Sequence, residues 1–305
     1  MKRLAILLAV VVVSASAPAS YEFLAVVEKK KKINRYDPVT MTNLGSFGTG
    51  YMSNPFSPSF SPDGLTFTIH DTIQSRYLNF DPYSGTPIST PTQNGFGFSG
   101  WLKNGLYAQG YVFGGIAAYA SNQSTFVGYY FGGGNITAVH GARNGLVYAV
   151  DTTAGKVVAW SGTPSSQTFF SGGSTSWTGL NTVDLHSQIA VQGSRGVVIA
   201  GSGNTIGHLS IASNGAPSIS STEVVAELNN ITGVVYGHGD YYYVLGTNGT
   251  GQTALLRRIG TTTLTTTILS GVSNPGNLAA IIAPEPTSMA VFAVGGLALL
   301  LRKRR

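Results

Sequence analysis

Residues 145–162 read GLVYAVDTTAGKVVAWSG: an apolar run behind a glycine turn, a polar turn, then a second apolar run ending in an aromatic residue and another glycine. Val, Tyr and Trp runs of this length, bounded by Gly, Asp and Thr, predict two antiparallel strands joined by a tight turn. The unit recurs. Its opening strand reappears as FLAVVE from Phe23, GLTFTIHD from Gly64, GLYAQGYV from Gly105, GVVIAG from Gly196 and DYYYVLG from Asp240. The strand that follows reappears as INRYDP from Ile33, RYLNFDP from Arg76, IAAYAS from Ile116, IGHLSI from Ile206 and LLRRIG from Leu255. Aligning Tyr36, Phe80, Tyr119, Trp160, Ile211 and Ile259 gives intervals of 44, 39, 41, 51 and 48 residues, the longest holding an apparent insertion at Ser174 to His186.

A period of about 40 to 45 residues with four short strands each predicts a β-propeller. Outer strands are assigned to TNLGSFG, TPISTPT, STFVGYYF, SQTFFSG, PSISSTEVV and TTTLTTTILS. Inner strands are assigned to PFSPSFSPDG, GFGFSGWLKNG, NITAVHGARNG, SQIAVQGSRG, ITGVVYGHGD and NLAAIIAPEP. The last inner strand has no partner after it, and FLAVVE has none before it. Pairing the two closes a six-bladed ring with strands from both ends and removes an exposed sheet edge. The expected fold is therefore all-β, one propeller spanning Tyr21 to Ala283. It resembles the broad WD40-, NHL- or quinoprotein-like class of propellers without the signature residues of any one. A pair of β-sandwiches, the rival architecture, would leave the spacing unexplained.

Composition narrows the function. Charged residues make up 10% of the 305, glycines number 40, and cysteine is absent, which excludes disulfides, thiolate metal sites and a cysteine nucleophile. The formal charge of +6 sits at the ends; between Ser20 and Ala283 there are 12 basic and 11 acidic residues. A nucleic-acid binder needs a basic stripe on its folded body, so no nucleic-acid partner is expected.

The two ends read as addresses. MKRLAILLAVVVVSASAPAS has basic Lys2 and Arg3, a ten-residue apolar core from Leu4 to Val13 and small residues after it, the three parts of a signal peptide over residues 1–19. Cleavage after Ala15, Ala17 or Ala19 is open, with Pro18 disfavouring the last two. At the other end Pro284-Glu285-Pro286 precedes a short transmembrane segment at 287–301 and the basic tail Arg302, Lys303, Arg304 and Arg305. Met289 to Leu301 spans about 20 Å as a helix, short of a hydrocarbon core of about 30 Å, so the flanking residues and snorkelling basic side chains must complete a thin span. The basic tail would stay in the cytoplasm and the body outside.

These three elements, in order at the extreme terminus, resemble the PEP-CTERM sorting signal, here over 284–305, with Ala283 where Val often stands. The resemblance implies processing by exosortase as well as signal peptidase. It implies an inner-membrane-anchored precursor that moves to the cell surface or the extracellular matrix. It says nothing about the propeller. Two prolines without amide donors would hold Glu285 in an extended segment readable by a protease cleft.

Within the body, chemistry is sparse. Ligands of propellers usually sit over the central channel, and the loops expected there include Lys29 to Lys32, His70-Asp71, Asp151 to Lys156, Ser202 to Thr205 and Thr247 to Gln252. They share no catalytic set. The histidines at 70, 140, 186, 208 and 238 show no metal-ligand spacing. His140 and His238 occupy matching positions in two inner strands and are candidate ligand residues, as are Lys29, Lys30, Lys31 and Lys32 for an acidic polysaccharide or phospholipid. Asp37, Asp63 and Asp81 read as turn formers. GGGN at Gly132 and GSGNT at Gly201 lack the strand-to-helix context of a phosphate loop. No cofactor and no metal are implied. The expectation is a non-enzymatic binding or scaffold propeller with a polysaccharide or envelope partner. The alternative is a secreted propeller enzyme, a lyase or hydrolase of extracellular polysaccharide.

Overall fold

The computed structural model describes residues 22–281 except 30–31, 90–97, 112–113, 183 and 238–239. Phe23–Ala280 forms one compact unit; residues 1–22 with 281–305 form another, of which only Glu22 and Ile281 are described. The signal peptide, the Pro284–Pro286 motif, the 287–301 segment and the basic tail therefore lie outside the described residues, among which no helix is long and apolar enough to cross a membrane.

Among the described residues, twenty-four strands form six four-stranded antiparallel sheets. The first blade holds β1 (Phe23–Glu28), β2 (Lys32–Tyr36), β3 (Asn43–Phe47) and, as its inner strand, β24 (Pro275–Ile281). The second runs β4 (Pro55–Phe60), β5 (Phe67–Asp71), β6 (Arg76–Phe80) and β7 (Pro87–Ser89). The third runs β8 (Ser99–Trp101), β9 (Tyr107–Tyr111), β10 (Gly115–Tyr119) and β11 (Phe126–Phe131). The fourth has β12 (Ile136–Gly141), β13 (Val147–Asp151), β14 (Lys156–Thr163) and β15 (Ser166–Phe170). The fifth has β16 (Gln188–Gln192), β17 (Arg195–Ile199), β18 (Thr205–Ile211) and β19 (Pro217–Val224). The sixth has β20 (Asn230–Tyr236), β21 (Tyr241–Thr247), β22 (Thr253–Ile259) and β23 (Thr262–Ile268). Every strand assigned from sequence is found, and β24 pairs with β1 to close the ring. The insertion before β16 carries one short 3-10 turn, Thr178–Asn181.

Each strand's composition follows from its place in the blade. The second strands pack against neighbouring blades on both faces, so β1, β5 and β13 are buried along their whole length and read as continuous apolar runs. Outer strands meet water, and Thr-rich β23 and polar β3 keep β propensity while staying soluble. Apolar clusters fill the junctions: Trp160 and Tyr130 between the third and fourth blades, Ile189 and Val198 between the fourth and fifth, Leu245 and Leu278 between the sixth and first. Between the first and second, Phe23 meets Phe60 edge-on at 5.5 Å and Phe47 meets Phe67 at 5.6 Å.

The axis is bridged by side chains. Asn277 on β24 donates to Thr232 O (3.2 Å) and accepts from Ser57 N (3.3 Å). Gln188 on β16 donates to Leu278 O (3.0 Å) and accepts from Val234 N (3.0 Å) and Leu278 N (3.2 Å). These two amides join the inner strands of the first, second, fifth and sixth blades, satisfying backbone groups that an inner edge would leave unpaired.

Candidate functional site

Most carboxylates of the body are occupied in holding loops. Asp37 Oδ1 accepts from Val39 N (2.8 Å) and Thr40 N (2.6 Å), and Asp81 Oδ1 from Tyr83 N (2.8 Å) and Ser84 N (2.9 Å). Asp63 accepts from Ser61 Oγ and Leu65 N in the same manner. Those bonds keep all three carboxyls below the usual range. A second set ends the second strands: Glu28 accepts from Ser273 N (3.2 Å), Asp71 from Ser53 N (2.8 Å) and Asn54 N (3.0 Å), and Asp151 from Gly134 N (2.8 Å). Each latches the loop that leads into its own blade's inner strand. These acids are spent on architecture.

The residues singled out from sequence are scattered. Lys29 follows β1 in the turn and Lys32 opens β2 opposite Glu28, while Lys30 and Lys31 lie outside the described residues. His140 sits in β12 beside Val191 of the fifth blade, whose backbone it engages; burial pushes its pKa down to about 4. His238 is outside the described residues, so the pairing of the two histidines has no described geometry.

Two groupings emerge that the sequence did not display. At the face of the second-to-third strand loops, the insertion before β16 brings Asp184 and His186 over the axis. His186 donates its backbone N–H to Asp184 Oδ1 (2.8 Å), its Nδ1 lies 2.9 Å from the same oxygen, and its ring meets Phe56 of the opposite blade at 5.2 Å. Lys29 Nζ stands 5.2 Å from the Phe56 ring centroid. Burial lowers the Lys29 pKa and the Asp184 charge partly restores it. Burial would raise the Asp184 pKa, but the His186 bonds and the Lys29 charge outweigh it and hold the carboxyl low.

The other grouping is a cavity of about 440 Å³ between the fifth and sixth blades, on the opposite face. Arg195, His208, Ser220, Tyr236, Asp240 and Tyr242 line it. Arg195 Nη1 and Asp240 Oδ2 stand 3.5 Å apart at its rim, both side chains about 60% exposed. Deeper, His208 Nε2 lies 2.8 Å from Glu223 Oε2, and Arg258 donates to the other Glu223 oxygen and to Thr261 O (2.5 Å). Arg258 is 2% exposed. Tyr242 donates to Gly260 O (2.6 Å), and burial raises its pKa; burial also pushes Tyr236 up to about 12, so both phenols stay neutral. A register shift at His208/Leu209 leaves Ser220 unopposed, and its hydroxyl donates to His208 O (3.1 Å). Sequence reading passed over this site because its members come from two blades. The available signal was a Glu and an Arg inside strands of a charge-poor chain.

Residues 283–305 match the PEP-CTERM protein-sorting motif. The chain carries a PEP-CTERM tail. That tail is an exosortase sorting signal, and PEP-CTERM proteins are exported and sorted to the cell surface. No curated protein matches the sequence. Among solved structures, the body is similar to a chain of the nidogen/laminin complex (11% identity, TM-score 0.62, covering 85% of this chain and 98% of that one). It is also similar to a protein of unknown function from Bacteroides caccae (11%, 0.56, 85% and 98%). A third likeness is to the Pseudomonas aeruginosa periplasmic gluconolactonase PpgL (14%, 0.53, 87% and 100%). At these identities the likeness is one of fold.

Proposed function

We propose that this PEP-CTERM protein is exported through its signal peptide, held in the inner membrane by its 287–301 segment, and processed by exosortase. Its propeller is then displayed at the cell surface or in the extracellular matrix as a non-enzymatic binding module. The observation that carries the sorting half is the motif over 283–305, with Pro284-Glu285-Pro286 at its head. The binding half is supported by the way the carboxylates are used: Asp37, Asp63, Asp71, Asp81 and Asp151 close turns and loops, and Glu223 is shared between His208 and Arg258. Replacing Pro284, Glu285 and Pro286 with Ala tests the sorting. Intact mass of protein recovered from membrane and medium should then show an accumulating precursor; unchanged mass and fractionation would overturn the sorting reading.

A further inference from the structure

We propose that the cavity between the fifth and sixth blades binds a neutral sugar ring of a glycan chain. This deepens the reading of the propeller as a binding module and rests on it. The cavity, at about 440 Å³, falls in the size range of small-ligand sites and is open enough at its rim for a ring that continues into a chain. Its aromatic wall is Tyr236, half-buried, with Tyr242 behind it at a centroid distance of 5.8 Å. The accessible part of the Tyr236 ring offers a surface for the C–H side of a sugar ring.

The polar groups choose among ligand classes. The charges in and behind the cavity largely pair off: Arg195 with Asp240 at the rim and Arg258 with Glu223 beneath, with Glu227 close enough to Arg258 to feel its charge. An anion would meet three carboxylates against two guanidinium groups, and a cation would have to compete with Arg195 for Asp240 at the rim. An apolar ligand would strip water from Arg195 and Asp240 without replacing it. A sugar hydroxyl donates and accepts at once. It can donate to Asp240, accept from Arg195, and exchange with Ser220, and bonds to charged partners are the stronger kind. The deeper wall is already fixed, because Ser220 is tied to His208 O and His208 to Glu223, so the ordering cost of binding falls on the exposed Arg195 and Asp240 side chains at the rim.

The test is calorimetric titration of the full chain in detergent with cellotriose, N-acetylchitotriose and galactotriose, alongside trigalacturonate and inorganic phosphate. At least one neutral trisaccharide should bind with a Kd of about 1 mM or tighter. Tyr236→Ala and Asp240→Ala should each weaken it at least about tenfold, a loss of roughly 1.4 kcal/mol. Phe126→Ala, on the outer strand of the third blade, should leave it unchanged. Tyr236→Phe, which keeps the ring, should retain most of the affinity and serves if Tyr236→Ala does not fold by circular dichroism. Failure of all three neutral sugars to bind, binding indifferent to Tyr236 and Asp240, or preference for trigalacturonate or phosphate would each overturn the assignment. Mass spectrometry of the titrated sugars separates the two readings. Cleaved products would overturn the non-enzymatic role and leave the cavity assignment standing, whereas intact sugars that do not bind would overturn only the cavity.

Discussion

Glu223→Ala is the substitution whose cost follows most directly from the geometry. Glu223 is the shared acceptor of His208 Nε2 and Arg258 Nη2, and its own side chain is 19% exposed while that of Arg258 is 2% exposed. Removing it leaves a buried guanidinium with Thr261 O as its one remaining hydrogen bond among the described residues, and deprives His208 of its acceptor. Stripping one partner from a buried ion pair costs about 3–5 kcal/mol. Partial exposure of Glu223 lets water screen the pair, placing the expected loss at about 2–3 kcal/mol. Glu223→Gln should fall between, because one amide oxygen can serve His208 or Arg258 but its NH₂ then faces the other donor. The double variant Glu223→Leu/Arg258→Met removes both charges together, leaves only His208 without its acceptor, and should recover at least about 1 kcal/mol of the loss. Urea unfolding followed by circular dichroism measures all three. A loss below about 1 kcal/mol for Glu223→Ala, or a double variant as unstable as the single one, would refute the picture of a largely buried ion pair behind the cavity.

Stability should also fall on mild acidification because of His140. Its folded pKa of about 4 lies below the ordinary 6.5, so between those values the unfolded chain takes up a proton that the folded chain refuses. The contribution is complete above pH 6.5 and is lost as pH falls towards 4. It amounts to at most about 3 kcal/mol, and less in so far as part of the ring area remains open to water. His140→Gln should flatten the slope of the urea midpoint across that window; an unchanged slope would assign the effect elsewhere, whereas Asp37, Asp63, Asp81 and Asp184 act only below their own ordinary pKa of 3.8. A third expectation concerns blade packing. A Cβ on Gly141 would stand 2.4 Å from Trp101 O and 2.7 Å from Leu102 Cα, backbone of the neighbouring blade that cannot yield. Gly141→Ala should therefore cost about 1–3 kcal/mol, whereas Gly249→Ala, whose Cβ meets only Asn229 Oδ1 at 4.0 Å, should be near neutral; equal melting temperatures would refute the close approach.

The propeller was legible because its determinants are local and repeated. A second strand buried on both faces must be apolar throughout, so FLAVVE and GLVYAVD announce themselves. An outer strand wet on one face and confined to short range selects the threonines of TTTLTTT, and Asp37 and Asp81 declare their turns through backbone bonds two and three residues on. Ring closure was legible for a related reason: β1 and β24 each lack a sequence neighbour on one side, and an unpaired edge at both termini has one economical partner. The site was not legible, because its register is set between blades. Expectation pointed to the loops above the axis, whereas Gln188 and Asn277 occupy the axis itself, two amides that in the sequence look like any polar strand residue. Glu223 and Arg258 lie 35 residues apart on the fourth strand of one blade and the third strand of the next. What the sequence did carry is their rarity. In a chain with 10% charged residues, a buried carboxylate or guanidinium inside a strand must find a partner, as Glu28 does in Ser273 N; Glu223 and Arg258 find each other across the junction where the fourth strand of one blade faces the third strand of the next.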